Sequence, residues 1–367
     1  MGINFQNVDF KYSKKASYKQ LDQVSLNINE KDEFVMIVGH TGSGKSTLVQ
    51  HMNGLLLATS GRVEVFNINV IRSKKIKLKP VREHVGLVFQ FPEYQIFEST
   101  VLEDIMFGPK NFGKSKEEAK QLAIQAAHRI GINDEILERS PFTLSGGQMR
   151  RVAIAGAMAI NPDILILDEP TNHLDIWMIN WLEKYLMKWN KALVLVTHDR
   201  YFLERITKKT LEIEMGKLYL YDANYSSYLL LKEQRMESMM GTLRKLTVLL
   251  KKEAAWASLN PQARSTKSKE RLLRLQTLEQ EANQQNDTIG QIKREMAFSS
   301  KVSRLGGKTI NIENVTQEMN GKILFSNFSY HVKRFDRLGI VGKNGSGKTT
   351  LFKTILQQLK PIKGTIT

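Results

Sequence analysis

Four short apolar runs, rich in β-branched residues, punctuate the first 220 positions of the chain: 34–38, 85–89, 164–167 and 193–196. Runs that are apolar at successive positions bury both faces, which predicts interior strands of a parallel sheet, and the amphipathic stretches between them predict helices. Residues 1–221 are therefore expected to form one α/β domain with a mostly parallel sheet. The pattern changes over 222–305. Leu243, Leu246 and Leu250, then Leu272, Leu275 and Leu278, recur at helical spacing with charges between them. Asn260-Pro261 interrupts the run, because proline lacks a helix donor and clashes with the preceding turn. The spacing predicts two long helices over 225–258 and 264–297, folded as an antiparallel hairpin with its tip near Pro261.

From residue 306 the chain repeats its own opening. The segment KTINIENVTQEMNGKILFSNFSYHVKRFDRLGIVGKNGSGKTTLF follows the order strand, glycine loop, helix found in the first 65 residues. The second copy reaches Thr367 soon after its loop, whereas the first continues much further, so 306–367 is expected to be the opening part of a second domain that closes no sheet of its own.

Composition narrows the classes. With 41% hydrophobic and 25% charged residues the chain is an ordinary globular one that can bury a core. It contains no cysteine, which excludes disulfide scaffolds, thiolate metal sites and cysteine catalysis, and fits a reducing compartment. The first residues carry no signal-peptide pattern, and no stretch approaches the ~20 apolar residues of a membrane span. Lys and Arg number 54 against 37 Asp and Glu, a net charge of +17, which points to a polyanion or an anionic surface as partner. Residues 232–308 hold 16 Lys and Arg against 8 Asp and Glu, so this fifth of the chain carries about +8 of that surplus. Arg264, Lys267, Lys269, Arg271 and Arg274 cluster at the hairpin tip, where they suit either phosphate contacts or a solvated coiled-coil face.

Two glycine loops carry the chemistry. Gly39, His40, Thr41, Gly42, Ser43, Gly44, Lys45 and Ser46 fit G-x-x-x-x-G-K-[ST], between a predicted strand and a predicted helix. In such a loop the backbone N–H groups curl around a β-phosphate and the lysine reaches the β/γ oxygens. The hydroxyl of Ser46 ligates Mg²⁺, with Thr47 following at the helix start. Gly342, Asn344, Gly345, Ser346, Gly347, Lys348, Thr349 and Thr350 repeat the pattern after an apolar run at 338–341, with Thr349 as the corresponding Mg²⁺ ligand. Asp168 and Glu169 end the strand ILIL. One acid orders Mg²⁺ and its water while Glu169 activates the attacking water, or the pair caps the next helix. His198 ends the strand ALVLV on the same sheet edge, within reach of a γ-phosphate.

Leu144-Ser145-Gly146-Gly147-Gln148, followed by ILILDEP and His198, resembles the ATP-binding cassette (ABC) ATPases. The resemblance implies a P-loop NTPase fold and the cofactors ATP and Mg²⁺. By it Tyr12 stacks on adenine, Gln90 is the sensor and a metal ligand, Leu174-Asp175 is the D-loop, and Glu169 is the catalytic carboxylate. It also implies a second cassette as partner, since Ser145, Gly146, Gly147 and Gln148 hold a γ-phosphate across a dimer interface. Met319 falls where the second copy would need its aromatic. Two subfamilies are visible. Up to about 162, the stretches GHTGSGKST, GLVFQFPEYQIFESTVLEDIMFGPKNFG and LSGGQMRRVAIAGAMA are similar to the ATP-binding subunit of an energy-coupling factor (ECF) importer. From about 165, DEPTNHLDIWMINWLEKYL, HDRYFLERI and the basic hairpin resemble ABC-F proteins, which act on ribosomes and not in transport. The overlap implies a chimera of two related genes. Three functions follow as expectations: a cytoplasmic transport motor docked on a transmembrane coupling subunit through the 90–113 segment, a ribosome-associated factor whose hairpin meets rRNA, or a fused fragment that keeps nucleotide binding alone.

Overall fold

The computed structural model describes residues 2–367 except 14, 17, 32–33, 72–76, 173, 259–268, 298–309, 320, 334–335, 337 and 344. The chain divides into two units, residues 1–225 with 305–367, and residues 226–304.

In the first unit the chain runs β1 (Gly2–Phe10), β2 (Leu21–Asn29), β3 (Phe34–Val38), α1 (Lys45–Met52), β4 (Ser60–Val65), β5 (Ile68–Asn69), α2 (Lys79–His84) and β6 (Val85–Val88). It continues through α3 (Val101–Asn111), α4 (Lys116–Arg129), α5 (Asp134–Leu137), α6 (Gly146–Ala159), β7 (Ile164–Asp168), α7 (Ile176–Leu186), β8 (Ala192–Val196), α8 (Arg200–Ile206), β9 (Lys209–Glu214) and β10 (Lys217–Tyr221). A six-stranded sheet has the order β10-β9-β3-β8-β7-β6, parallel throughout except at β10. A four-stranded antiparallel sheet has the order β2-β1-β4-β5. All four apolar runs become strands of the six-stranded sheet, and β7 and β8 are buried at every position. The core lies between the sheets. Ile3 and Phe5 of the antiparallel sheet, Leu48 and Met52 of α1, and Ile37 and Val194 of the parallel sheet share one apolar cluster.

Helices α3, α4 and α6 pack on one another beside β6. Their starts are written locally. Thr100 accepts from the Glu103 N–H, and Ser115 with Glu118 forms a reciprocal capping box.

The second unit contains α9 (Tyr225–Ser258) and α10 (Lys269–Ala297). Arg271, near the start of α10, donates from Nε to Glu253 Oε2 at 2.7 Å and lies 4.1 Å from the Trp256 ring centre, near the end of α9. These contacts join the two helices as an antiparallel pair. The tip at 259–268, with Pro261, Arg264 and Lys267, lies outside the described residues.

The second copy forms β11 (Asn311–Met319), β12 (Lys322–His331), α11 (Lys348–Ile355) and β13 (Lys363–Ile366). These strands form a three-stranded antiparallel sheet of their own, which corrects the expectation that 306–367 closes none; its order, β12-β11-β13, follows that of β2-β1-β4 because strand pairing here is between near neighbours in sequence. The expected strand at 338–341 is corrected: these residues form no strand. In the first copy β3 is held between β8 and β9 by parallel ladders. The described residues of 306–367 supply no parallel neighbour, so the backbone at 338–341 has no ladder to join. Burial records the difference, with Ile37 at 0% exposure and the corresponding Ile340 at 37%. Truncating Ile37 to alanine should therefore cost about 2–5 kcal/mol, as for a core Ile, and Ile340→Ala less than about 1 kcal/mol. Denaturant unfolding of the two variants checks the contrast; equal losses would contradict it.

Candidate active site

The first glycine loop leaves β3 at Val38 and enters α1 at Lys45. Gly44 caps α1 at φ 111° with no side-chain bond, so the first N–H groups of the helix are left to an anion. A Cβ at Gly44 would lie 2.8 Å from the Gln20 carbonyl oxygen, so only glycine fits. Lys45 Nζ donates to the Gly39 and His40 carbonyls at 2.7 and 2.9 Å and so lies across the mouth of the loop. Burial pushes the Lys45 ammonium down from its ordinary range, and the nearby Glu169 and Asp168 carboxylates oppose that shift. The buried Ser43 Oγ has no hydrogen-bond partner among the described residues.

Asp168 and Glu169 leave the end of β7. Ser46 Oγ donates to Asp168 Oδ2 at 3.1 Å, bringing a hydroxyl and a carboxylate, both hard oxygen donors, to one point. Burial pushes the Asp168 carboxyl up from its ordinary range. The Ser46 bond and the charges of Arg150 and Lys45 oppose this, and Glu169 adds to it. Glu169 has φ 51°, in the left-handed region, and its N–H donates to the Val196 carbonyl at 2.6 Å. One Glu169 oxygen lies 3.4 Å from His198 Nε2, and the other accepts from the His198 N–H at 3.4 Å. Adjacent strands β3, β8 and β7 thus deliver the loop, the histidine and the acid pair to one edge.

A cleft of about 590 Å³ gathers Thr41, Gly42, Gly44, Lys45, Ser46 and Thr47 with Tyr12, Gln90, Asp168, Glu169 and His198. Tyr12 is exposed, and its hydroxyl bonds Thr47 Oγ1 at 2.8 Å. Three more residues line the cleft that the motifs did not point to: Tyr18, Gln20 and Asn172. Gln20 Nε2 donates to the Gly42 carbonyl at 2.6 Å. The intervening Lys19 is held by Asp9 and Asp22 at 3.0 and 2.8 Å, outside the cleft lining, while its two neighbours join it. None of the three carries a motif or spacing that singles it out in the sequence.

Ser145, Gly146, Gly147, Gln148 and Asp175 do not line this cleft. Ser145 and Gln148 cap α6 reciprocally, at 3.3 and 2.9 Å, and Asp175 caps α7 by accepting from the Met178 N–H at 3.0 Å. The second loop repeats the first in detail. Lys348 Nζ donates to the Gly342 and Lys343 carbonyls at 2.6 and 2.8 Å, and Gly345 and Gly347 take φ 80° and 96°. Ser346 and Thr349 follow in order, and Asn344 lies outside the described residues. Met319 Sδ sits 4.0 Å from Thr350 Oγ1, where Tyr12 meets Thr47 in the first copy. No described residue of 306–367 takes the place of Asp168, Glu169 or His198.

An ABC transporter family model matches residues 21–172 and 325–367, more than half of the chain, and a second ABC transporter model matches 211–298. The chain belongs to the ABC transporter family. It is an ABC ATPase, an enzyme class that binds and hydrolyses ATP. The chain is 45% identical over 225 residues to the energy-coupling factor transporter ATP-binding protein EcfA2 of Caldanaerobacter subterraneus subsp. tengcongensis, a match covering 60% of this chain and 78% of that protein. With EcfA2 of Streptococcus thermophilus it shares 49% over 203 residues, 54% of this chain and 72% of that one. Among solved structures, the dimeric post-hydrolysis state of the ATP-binding cassette MJ0796 bound to ADP and Pi has a TM-score of 0.54 at 31% identity, over 60% of this chain and 98% of that one. CbiO1 of Clostridium perfringens, part of the transporter complex cbiONQ, has a TM-score of 0.53 at 28% identity, over 68% and 98%. These comparisons support the ECF part of the resemblance and do not support the ABC-F chimera.

The site's charge balance has a measurable consequence. A carboxyl whose pKa is raised by folding keeps a proton that the unfolded chain has already released, so stability falls as pH rises through that interval. Asp168→Asn removes this cost. The nucleotide-free variant should melt about 2–4 °C higher near neutral pH, with the gain vanishing below about pH 4, where the carboxyl is protonated in both states. Thermal melts across pH check this; a destabilised variant would contradict it.

Proposed function

We propose that this ABC ATPase is the ATP-binding component of an ECF-type transporter, working with a second cassette and a transmembrane coupling subunit on the cytoplasmic face of the membrane. The observation that carries the reading is the convergence of Lys45, Ser46, Asp168, Glu169 and His198 on one cleft, in a chain 45–49% identical to EcfA2 proteins over 54–60% of its length.

The residues fit ATP with Mg²⁺. The glycine loop offers N–H groups and the dipole of α1 to the phosphates. Lys45 exchanges the Gly39 and His40 carbonyls for β/γ oxygens, and Tyr12 presents its exposed ring to the base. Ser46 and Asp168, with Gln90, would hold the metal, which would supply charge neutralisation to the phosphate oxygens. Glu169 takes the proton of the attacking water, and His198 keeps its carboxylate oriented at the γ end. Ser145, Gly146, Gly147, Gln148 and Asp175 serve the site of an opposing cassette, which accounts for their place outside the cleft. The loop from Gly342 to Thr350 binds phosphates through Lys348 and Thr349, and no described residue of 306–367 sets an acid beside it.

The same domain carries a surface for the coupling subunit. A groove of about 370 Å³ opens beside α3 and α6, lined among others by Tyr94, Phe97, Asp104 and Phe107. Phe97 and Phe107 pack edge to face at 4.8 Å yet stay 57% and 43% exposed. An aromatic pair held this open suits an apolar partner helix. No helix among the described residues is long and apolar enough to cross a membrane, so coupling falls to that partner. A second reading, an rRNA contact through the basic α9–α10 hairpin, rests on the hairpin's charge alone.

Phe97→Asp should abolish co-purification with membrane partners and leave ATP affinity within about threefold, whereas deleting 226–304 should leave that association intact. Association that survives Phe97→Asp would contradict the docking surface. Loss on deleting the hairpin, together with ribosome co-sedimentation falling steeply with salt, would favour the second reading.

A further inference from the structure

Among the described residues Arg150 is the largest fully buried side chain, at 0% exposure. A guanidinium cannot be taken from water without replacing its hydrogen bonds, and here the acceptors are backbone carbonyls at two strand ends. Nη1 donates to the Phe89 carbonyl and, at 3.0 Å, to the Gln90 carbonyl, just beyond β6. Nη2 donates to the Asp168 carbonyl, the last of β7. The outgoing carbonyls at the end of a parallel ladder run out of partners as the strands diverge into loops, and this side chain supplies the donors. Its position in the chain gives the contact further meaning. Arg150 stands in the second turn of α6, the helix whose first turn is Gly146, Gly147 and Gln148.

We propose that Arg150 is a positioning residue that locks the backbone of Gln90 and Asp168 to the signature helix, so that the two side chains reaching the cleft from β6 and β7 move with α6 as one piece. The inference rests on the ATPase reading of the cleft. A planar fork is needed, because three carbonyls on two strands must be met from one point. Lysine offers a single ammonium and cannot span them.

Arg150→Lys keeps the stem and the charge and removes the fork, and Val152→Ala, at a fully buried apolar position of the same helix, serves as a stability control. The full chain is compared by thermal melting, ATP affinity, turnover, and Mn²⁺ affinity in the presence of ATP by EPR. Arg150→Lys should lose at least about tenfold in kcat and about fivefold in Mn²⁺ affinity, with ATP affinity within about threefold. Val152→Ala should lower Tm and move none of these. Should Arg150→Lys not fold, the Arg150 guanidinium of the wild-type chain is read by NMR, where fixation by three carbonyls gives separate, slowly exchanging Nη signals. Mn²⁺ affinity and kcat unchanged in Arg150→Lys, or averaged Nη signals in the wild type, would overturn the proposal. A wild-type chain that binds ATP and Mn²⁺ but turns nothing over would instead count against the ATPase reading, leaving the Mn²⁺ and NMR results to decide on Arg150.

Discussion

The site depends on the parallel ladder β3-β8-β7, in which each strand is paired on both sides and β7 and β8 are buried from end to end. Parallel strands all release their chains at the same edge, so three segments far apart in sequence meet there without any loop having to search for the others. Ser46 and Asp168 are 122 residues apart and yet share a hydrogen bond. The two copies of the glycine loop show what the ladder contributes. In both loops the two later glycines take positive φ and the lysine is tied to the two corresponding carbonyls, which local sequence alone accounts for. Only the first is set beside an acid pair and a histidine.

Local strain and burial are concentrated where that edge meets the cleft. Glu169 sits at positive φ, Asp168 is buried beside another carboxylate, and Lys45 is partly desolvated. Each feature is locally unfavourable, and a cation at Asp168 and phosphate oxygens at Lys45 would offset the two desolvated charges. Arg150 belongs to the same economy. Its buried charge is tolerated because the strand ends need donors, and through it the helix that begins at Gly146 is joined to those ends.

Much of this was legible in the chain. Apolar runs gave β3, β6, β7 and β8 to within a residue, and the glycine loops, the acid pair and His198 were named from spacing because strand–loop–helix order constrains where they emerge. Two things were not. The run at 338–341 has the composition of β3, but a strand needs neighbours that composition does not report. Tyr18 and Gln20 carry no motif, and only the ion pairs of Lys19 show which way they face. The resemblance of the later residues to ABC-F proteins rested on shared motif words and a basic hairpin, both of which are compatible with more than one branch of the family.

Glu169→Gln tests the central claim most directly, because it keeps the side chain's size and its place beside His198 while removing the base. Purified wild-type and variant chains are compared for ATP binding by calorimetry and for phosphate release. ATP affinity should stay within about threefold and turnover should fall by about 10²–10⁴. Turnover that survives the substitution would contradict the assignment of hydrolysis to the edge where β7 and β8 end.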